Sequence, residues 1–270
     1  MDRKQYGTII ENRLRADADR LRNDFESHIV QSCAIDNLLP ESEALEIYRS
    51  FPDPATMMLK KSLREYKYVA AQMDKYAPLL EEIIYAFQQP NVLDAVAEIT
   101  RIEGMEPDTN LYAGGISLMA KDHFLNPHLD NSHDKDRRLY RVLNLLYYVT
   151  PDWSSSSGGN LELWDDGPKG SPREIPSQFN RLVLMATHKR SWHSVNPVVK
   201  DGFRCCVSNY YFSASPLEEQ EYFHVTSFRG RPEQPVRDIV LQGDVALRQG
   251  IRKIFKRGII ENPHVYKKTE

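Results

Sequence analysis

His128-Leu129-Asp130 sets an imidazole and a carboxylate two residues apart. On an extended strand such residues point to the same side, so both can reach one ion. A second imidazole on another strand would complete a set of two histidines and one carboxylate, and His193 is the candidate. Such a set covers one face of an octahedral Fe(II) and leaves three positions for co-substrate, water and O2. Arg204 opens a β-rich run in which Arg204, Cys206, Ser208 and Tyr210 alternate onto one face. A guanidinium fork there suits bidentate binding of a carboxylate deep in a barrel. Val142, Asn144, Leu146 and Tyr148 share a face of another run and are expected to form an apolar wall with two polar handles. Gly158-Gly159 opens a further run where backbone must pass closely. His123, His133 and His188 read as structural histidines.

These residues need strands to hold them. Ile116–Ala120, Val142–Val149, Asn160–Trp164, Arg181–Ala186 and Cys205–Phe212 are short β-rich runs separated by Gly, Pro, Ser and Asp clusters. That texture predicts a barrel or jelly roll. Upstream, Leu14, Ala18, Leu21 and Phe25 recur at helical spacing in a charged run. His28–Asp36 suits a strand, and Pro40 precedes a helix over Glu41–Ser50. The stretch from Ala55 to Ile102 predicts two or three helices, punctuated near Pro78 and Pro90. Downstream, Val236, Val240, Leu247, Ile251 and Phe255 can share one helix face, with Arg248, Arg252, Lys253, Lys256 and Arg257 on the other. From Val225 to Lys268 there are ten Lys or Arg against four Asp or Glu. The charged face is expected to be solvated, with the helix packed beside the barrel.

The fold class expected is therefore α+β: a double-stranded β-helix (jelly-roll, cupin-like) core with flanking N- and C-terminal helices. The 270 residues suit one domain. It would comprise a mainly helical part (1–109), the jelly-roll core (110–215) and a helical extension (216–270). Charged residues are 27% and the net charge −3, which excludes a disordered chain and gives no basic field for nucleic acid. No apolar run is long enough to span a membrane, and the charged first twenty residues lack the apolar stretch of a signal peptide. Three cysteines give no disulfide framework and no CxxC pair. A cytoplasmic location is expected.

Five segments occur in a familiar order: HLDN at 128–131, LNLLYYVTPDW at 143–153, GGNLELW at 158–164, HSVNPV at 193–198 and RCCVSNYYF at 204–212. Together they closely resemble the Fe(II)/2-oxoglutarate-dependent oxygenases, in the prolyl-4-hydroxylase-like subgroup. The resemblance implies that His128, Asp130 and His193 bind Fe(II). It implies that Arg204 holds the distal carboxylate of 2-oxoglutarate, with Tyr148 bonded to the same end and Ser208 lining the pocket. Leu146, Leu161 and Val195 would pack on the co-substrate methylenes, and Trp192 would brace His193. Members often carry a tyrosine ten residues before the first metal histidine; Leu118 stands there instead, flanked by Ser117 and Met119. Asn144 is a candidate substitute for bonding the keto-acid end.

The resemblance implies hydroxylation of an unactivated C–H, with O2 as second co-substrate and release of succinate and CO2. Retention of Asp130 favours hydroxylation over halogenation, while desaturation or ring closure uses the same site. The charged segment Asn131–Arg141 is expected to form a lid. Within it Asn131, Arg137 and Arg138, followed by Arg141 and preceded by Lys121, are candidates to hold an acidic substrate group. The expected substrate is a small molecule, such as an amino acid derivative, a saccharide or a biosynthetic intermediate. The alternatives are a protein or peptide prolyl-type hydroxylase and a non-catalytic jelly-roll binding module.

Overall fold

The computed structural model describes residues 1–112, 114–218, 220–254 and 265–267. Helices α1 (Arg3–Ala16) and α2 (Ala18–Glu26) precede strand β1 (Ser32–Ile35) and helix α3 (Glu41–Arg49). The Asp2 side chain caps α1 by accepting from Lys4 N and Gln5 N. Strands β2 (Met58–Lys61) and β3 (Glu65–Ala70) follow, then α4 (Pro78–Ala86) and α5 (Pro90–Thr100), each begun by a proline.

The segment expected to hold two or three helices therefore opens with a hairpin and carries two helices after it. Met58 pairs with Val69 and Lys61 with Tyr66. The turn is Ser62-Leu63-Arg64, without the Asn-Gly or Asp-Gly signal that marks short hairpins in sequence. The β-favouring residues Tyr66, Tyr68 and Val69 carry the strand instead.

The core strands are β4 (Met105–Pro107), β5 (Gly115–Met119), β6 (Phe124–Leu129), β7 (Tyr140–Tyr148), β8 (Leu161–Leu163), β9 (Arg173–Ile175), β10 (Arg181–Ala186), β11 (His193–Val195) and β12 (Arg204–Ser213). A short β13 (Ser227–Phe228) and helix α6 (Pro235–Ile254) follow. Every pairing is antiparallel, in the order β1-β10-β7-β12-β5-β3-β6-β11-β8-β9. Strands β5 and β6 run one after the other along β3, which pairs with both. β3 thereby links the β12-β5 side of the sheet order to the β6-β11 side, with β2 on its other flank.

The helices cover the outer face of the larger sheet. Ile10, Leu14, Leu21, Leu80, Ile84, Val96, Leu143, Leu145 and Tyr147 share one buried cluster there. Inside the barrel, Tyr148, Leu161, Leu163, Val183 and Cys206 form a second cluster, and Met119, Trp153, Val195 and Val198 a third.

Helix α6 reverses the orientation expected for it. Val236 is 75% exposed and Leu247 66%, with Ile239 and Val240 also outside. The polar face turns inward: Arg229 Nε donates to Asp238 at 2.6 Å, Arg64 pairs with Asp244, and Arg248 Nη1 donates to Thr226 O at 2.8 Å. Ion pairs and Leu241, the one buried side chain among the helix's described residues, seat the helix. Phe255, Lys256 and Arg257 lie outside the described residues.

Candidate metal and co-substrate site

His128 stands near the end of β6, Asp130 just beyond it, and His193 at the start of β11. The pairing of β6 with β11 sets His193 directly opposite His128. Each imidazole is fixed from behind. His128 Nδ1 meets Asn126 O at 3.0 Å, and His193 Nδ1 meets Ser191 O at 2.9 Å. A carbonyl accepts, so the proton sits on Nδ1 and Nε2 offers a lone pair. His128 Nε2 lies 3.6 Å from Asp130 Oδ1, and His193 Nε2 lies 3.7 Å from Asp130 Oδ2. All three ligand atoms fall within 4.8 Å of one another.

The electrostatics suit a divalent ion. Burial pushes His128 down to about 3, and its neighbour His193 adds to that. Burial likewise lowers His193. For Asp130 burial pushes upward, but Arg141 and then the two imidazoles outweigh it and hold the carboxyl well below its ordinary range. Neutral imidazoles and an ionised carboxylate are the states a metal requires. Two nitrogen donors and one oxygen in this arrangement fit Fe(II).

Arg204 begins β12 opposite Met119 and is 4% exposed. Its Nε donates to Ser177 Oγ at 3.0 Å, and Nη1 reaches Met119 Sδ at 3.5 Å. Its Cζ lies 4.6 Å from the centre of the Tyr148 ring. No carboxylate among the described residues pairs with it. A buried cation without a counter-ion is costly, and a ligand carboxylate would relieve that. Gly159 makes room: at φ +70°, a Cβ there would come within 3.1 Å of Arg204 Cδ. The Tyr148 hydroxyl is buried with no partner in good hydrogen-bond geometry, and burial pushes it up to about 12 against the opposing pull of nearby Arg204 and Ser177. Ser208 is half-buried near Cys206, and Leu146 and Leu161 pack in the same cluster as Tyr148. Val195 lies in the neighbouring cluster with Met119.

Asn144 is brought to the metal set itself. Its Nδ2 donates to Asp130 Oδ2 at 2.8 Å, while its Oδ1 is buried without a partner. The alternation expected along β7 breaks at Val142. Tyr211 pairs with Leu143 but Phe212 with Arg141, so one residue bulges. Val142 accordingly joins the cluster under the helices. Arg141 turns inward, 2% exposed, with Nη1 3.4 Å from Asp130 Oδ2. Its Nε and Nη2 are buried without partners.

The segment 131–141 and residues 222–228 roof the site together. Ser132 N donates to His224 O at 3.0 Å, and His224 N donates to Ser132 Oγ at 2.9 Å. Arg137 lies over Phe223, with its Cζ 3.9 Å from the ring centre, whereas Arg138 is exposed. The Asn131 amide donates to His133 O. Phe228 stacks on His128 with ring centres 5.0 Å apart. The composition of 222–228 did not mark it as part of the site.

A buried network holds this roof down. Glu162 of β8 accepts from Arg231 Nη1 at 3.0 Å and Nη2 at 2.6 Å, and from Ser194 Oγ at 2.5 Å. Trp164 Nε1 donates to Ser194 Oγ at 2.7 Å. Trp192 contributes its carbonyl, which accepts from Trp164 N at 2.9 Å.

Residues 114–212 match the family model described as the 2OG-Fe(II) oxygenase superfamily. A prolyl 3-hydroxylase OGFOD1 from Xenopus laevis is 33% identical over 88 residues, 31% of this chain and 17% of its own length. The chain spans under a third of the length of the curated relatives it matches. A prolyl-4-hydroxylase from Pseudomonas putida superposes with a TM-score of 0.53 at 17% identity, over 72% of this chain and 97% of that one. The non-heme alpha ketoglutarate dependent epimerase SnoN from nogalamycin biosynthesis gives 0.51 at 12% identity, over 74% and 83%. These superpositions show the fold, a double-stranded β-helix with flanking helices. The likeness to the 2OG-Fe(II) oxygenase superfamily thus lies in residues 114–212, the stretch that carries His128, Asp130 and His193.

Proposed function

We propose that the protein is an Fe(II)- and 2-oxoglutarate-dependent dioxygenase that hydroxylates an unactivated C–H of a small acidic molecule. His128, Asp130 and His193 would hold the iron. Arg204, with Tyr148 and Ser208, would take the distal carboxylate of 2-oxoglutarate, and Leu146, Leu161 and Val195 would exclude water from its methylenes. When bound, iron, 2-oxoglutarate and O2 supply the C–H oxidising chemistry and release succinate and CO2. The protein supplies orientation and a dry cavity.

The observation that carries the substrate class is Arg141. It is a buried guanidinium beside the triad whose Nε and Nη2 lack hydrogen-bond partners. Such a group calls for an anion. Exposed Arg138 offers no comparable anchor, and Arg137 is engaged by Phe223. The roof formed by 131–141 and 222–228 supports a small substrate over a long peptide. The second reading is a prolyl-type hydroxylase acting on protein. It draws on the prolyl 3-hydroxylase and prolyl-4-hydroxylase named among the relatives.

An anaerobic titration with Fe(II) and 2-oxoglutarate tests the cofactor assignment. The weak visible absorption of the chelate should saturate in wild type, vanish in His193→Ala and weaken in Arg204→Ala. Absence of the band in folded wild-type protein would return weight to a non-catalytic module. Succinate release screened against small carboxylic acids and against prolyl peptides separates the two substrate classes.

A further inference from the structure

2-Oxoglutarate carries two carboxylates, and Arg204 accounts for one. Besides Arg141, the inner wall carries Lys67 of β3, with Lys60 of β2 across from it in the register. Tyr66 and Tyr68 of β3 both lie against His123, with ring centres 3.8 and 5.4 Å away. Glu65 and Lys67 therefore point to the opposite face of the strand. That face is the interior, as the register shows. Tyr68, Leu118 and Cys205 form one row across β3, β5 and β12, and all three line a groove outside the barrel. The next row is Val69, Ser117, Cys206 and Tyr148, and it faces inward. Lys67 shares the parity of Val69. It falls where β3 passes from β5 to β6, level with Met119 and Arg204.

On this inner wall Lys67 acts toward the triad. Its charge is felt at His128, at His193 and at Cys206. The charge of Arg204 is felt at Tyr148 and also at Cys206. Lys67 and Arg204 thus stand level with one another, with β5 between their strands, and both charges reach the inward thiol of Cys206 in the next row. Arg141 acts on the roof side, at Tyr210 and His224. Lys67 has one ion-pair partner, Glu65, at 3.1 Å, and the side chains are only 20% and 19% exposed. An ammonium has three donors, so this pair leaves it capacity for a further acceptor. Leu118 faces the outer groove and Met119 offers only its sulfur to Arg204. No hydroxyl from those two positions competes for the role.

We propose that Lys67 binds the carboxylate of 2-oxoglutarate adjacent to the keto group, so that β3 and β12 grip the co-substrate from its two ends. The inference rests on the 2-oxoglutarate reading above. Lys67 acts on the co-substrate by charge and hydrogen bonding, and no covalent step is assigned to it.

Calorimetric titration of the Mn(II)-loaded protein tests this without turnover. Two ligands are used: 2-oxoglutarate, and 2-oxopentanoate, which keeps the keto acid but lacks the distal carboxylate. Loss of one charge-assisted bond is worth about tenfold in Kd. Lys67→Met should weaken both ligands by that factor and preserve their ratio. Arg204→Met should weaken only 2-oxoglutarate and collapse the ratio. Glu65→Gln removes the ion pair but keeps the cation, and should leave both affinities within a few-fold of wild type. Lys67→Arg should recover part of the loss. Unchanged affinities in folded Lys67→Met, with wild type binding normally, would overturn the role of Lys67 alone. Equal weakening by Lys67→Met and Glu65→Gln would also overturn it, by assigning Lys67 to structure. Wild type that binds neither ligand would refute the co-substrate reading and this inference with it.

Discussion

Breaking the Glu162–Arg231 pair should cost more than any surface change, and the cost can be worked from the network. Glu162 is 4% exposed and Arg231 9%, and their bidentate contacts are 3.0 and 2.6 Å. Arg231→Met leaves the carboxylate buried with Ser194 as its remaining donor and also loses the 3.1 Å bond to Val195 O. Removing one partner of a buried pair costs roughly 3–5 kcal/mol. For a domain of this size each kcal/mol moves Tm by about 2–4 °C, so a fall of about 10 °C is expected. The double variant Glu162→Leu/Arg231→Met removes both charges and should regain most of it, because paired deletion leaves no stranded ion. Differential scanning calorimetry on wild type, both singles and the double closes the cycle. A single variant costing under about 1 kcal/mol, or a double as unstable as the summed singles, would refute the reasoning.

Asp130→Ala should abolish succinate release and weaken Mn(II) binding by at least about 100-fold, read by titration calorimetry, since it removes one of three ligands. Gly159→Ala places a Cβ 3.1 Å from Arg204 Cδ at a φ of +70°; the KM for 2-oxoglutarate should rise roughly tenfold or more. Arg141→Met should raise substrate KM while leaving the Kd of 2-oxoglutarate near wild type, and an unchanged KM would remove Arg141 from the substrate site. Metal-free protein should lose stability as pH falls below about 6.5. His128 and His193 are lowered by burial, so the unfolded chain binds more protons there; urea melts at pH 7.5 and 5.5 should differ less in His128→Gln than in wild type. Burial raises Cys33 and Cys205 to about 12 and also lifts Cys206; none of the three should alkylate in the native state.

Much of the site was legible because strand alternation is a strict rule. The spacing of His128 and Asp130, and the parity of Arg204, Cys206 and Ser208, held once the strands formed. Arg141 was seen as one of several basic residues but not as an interior one. A bulge at Val142 shifts parity by one, and nothing in the local composition announces it. Lys67 escaped notice because its hairpin lacks a strong turn signal and sits in a region of helical texture. The outward apolar face of α6 escaped for a different reason: periodicity identifies a face, but ion pairs at Asp238 and Asp244 decided which way it turned.

The contact between Phe228 and His128 joins residues a hundred positions apart, and Arg231 fastens it to Glu162. During synthesis the triad strands emerge long before the segment that roofs them. Until residue 231 is available, His128 lacks its stacking ring and Glu162 its cation. The triad strands and the residues that complete their surroundings are thus supplied by distant parts of the chain, and order at one depends on the arrival of the other.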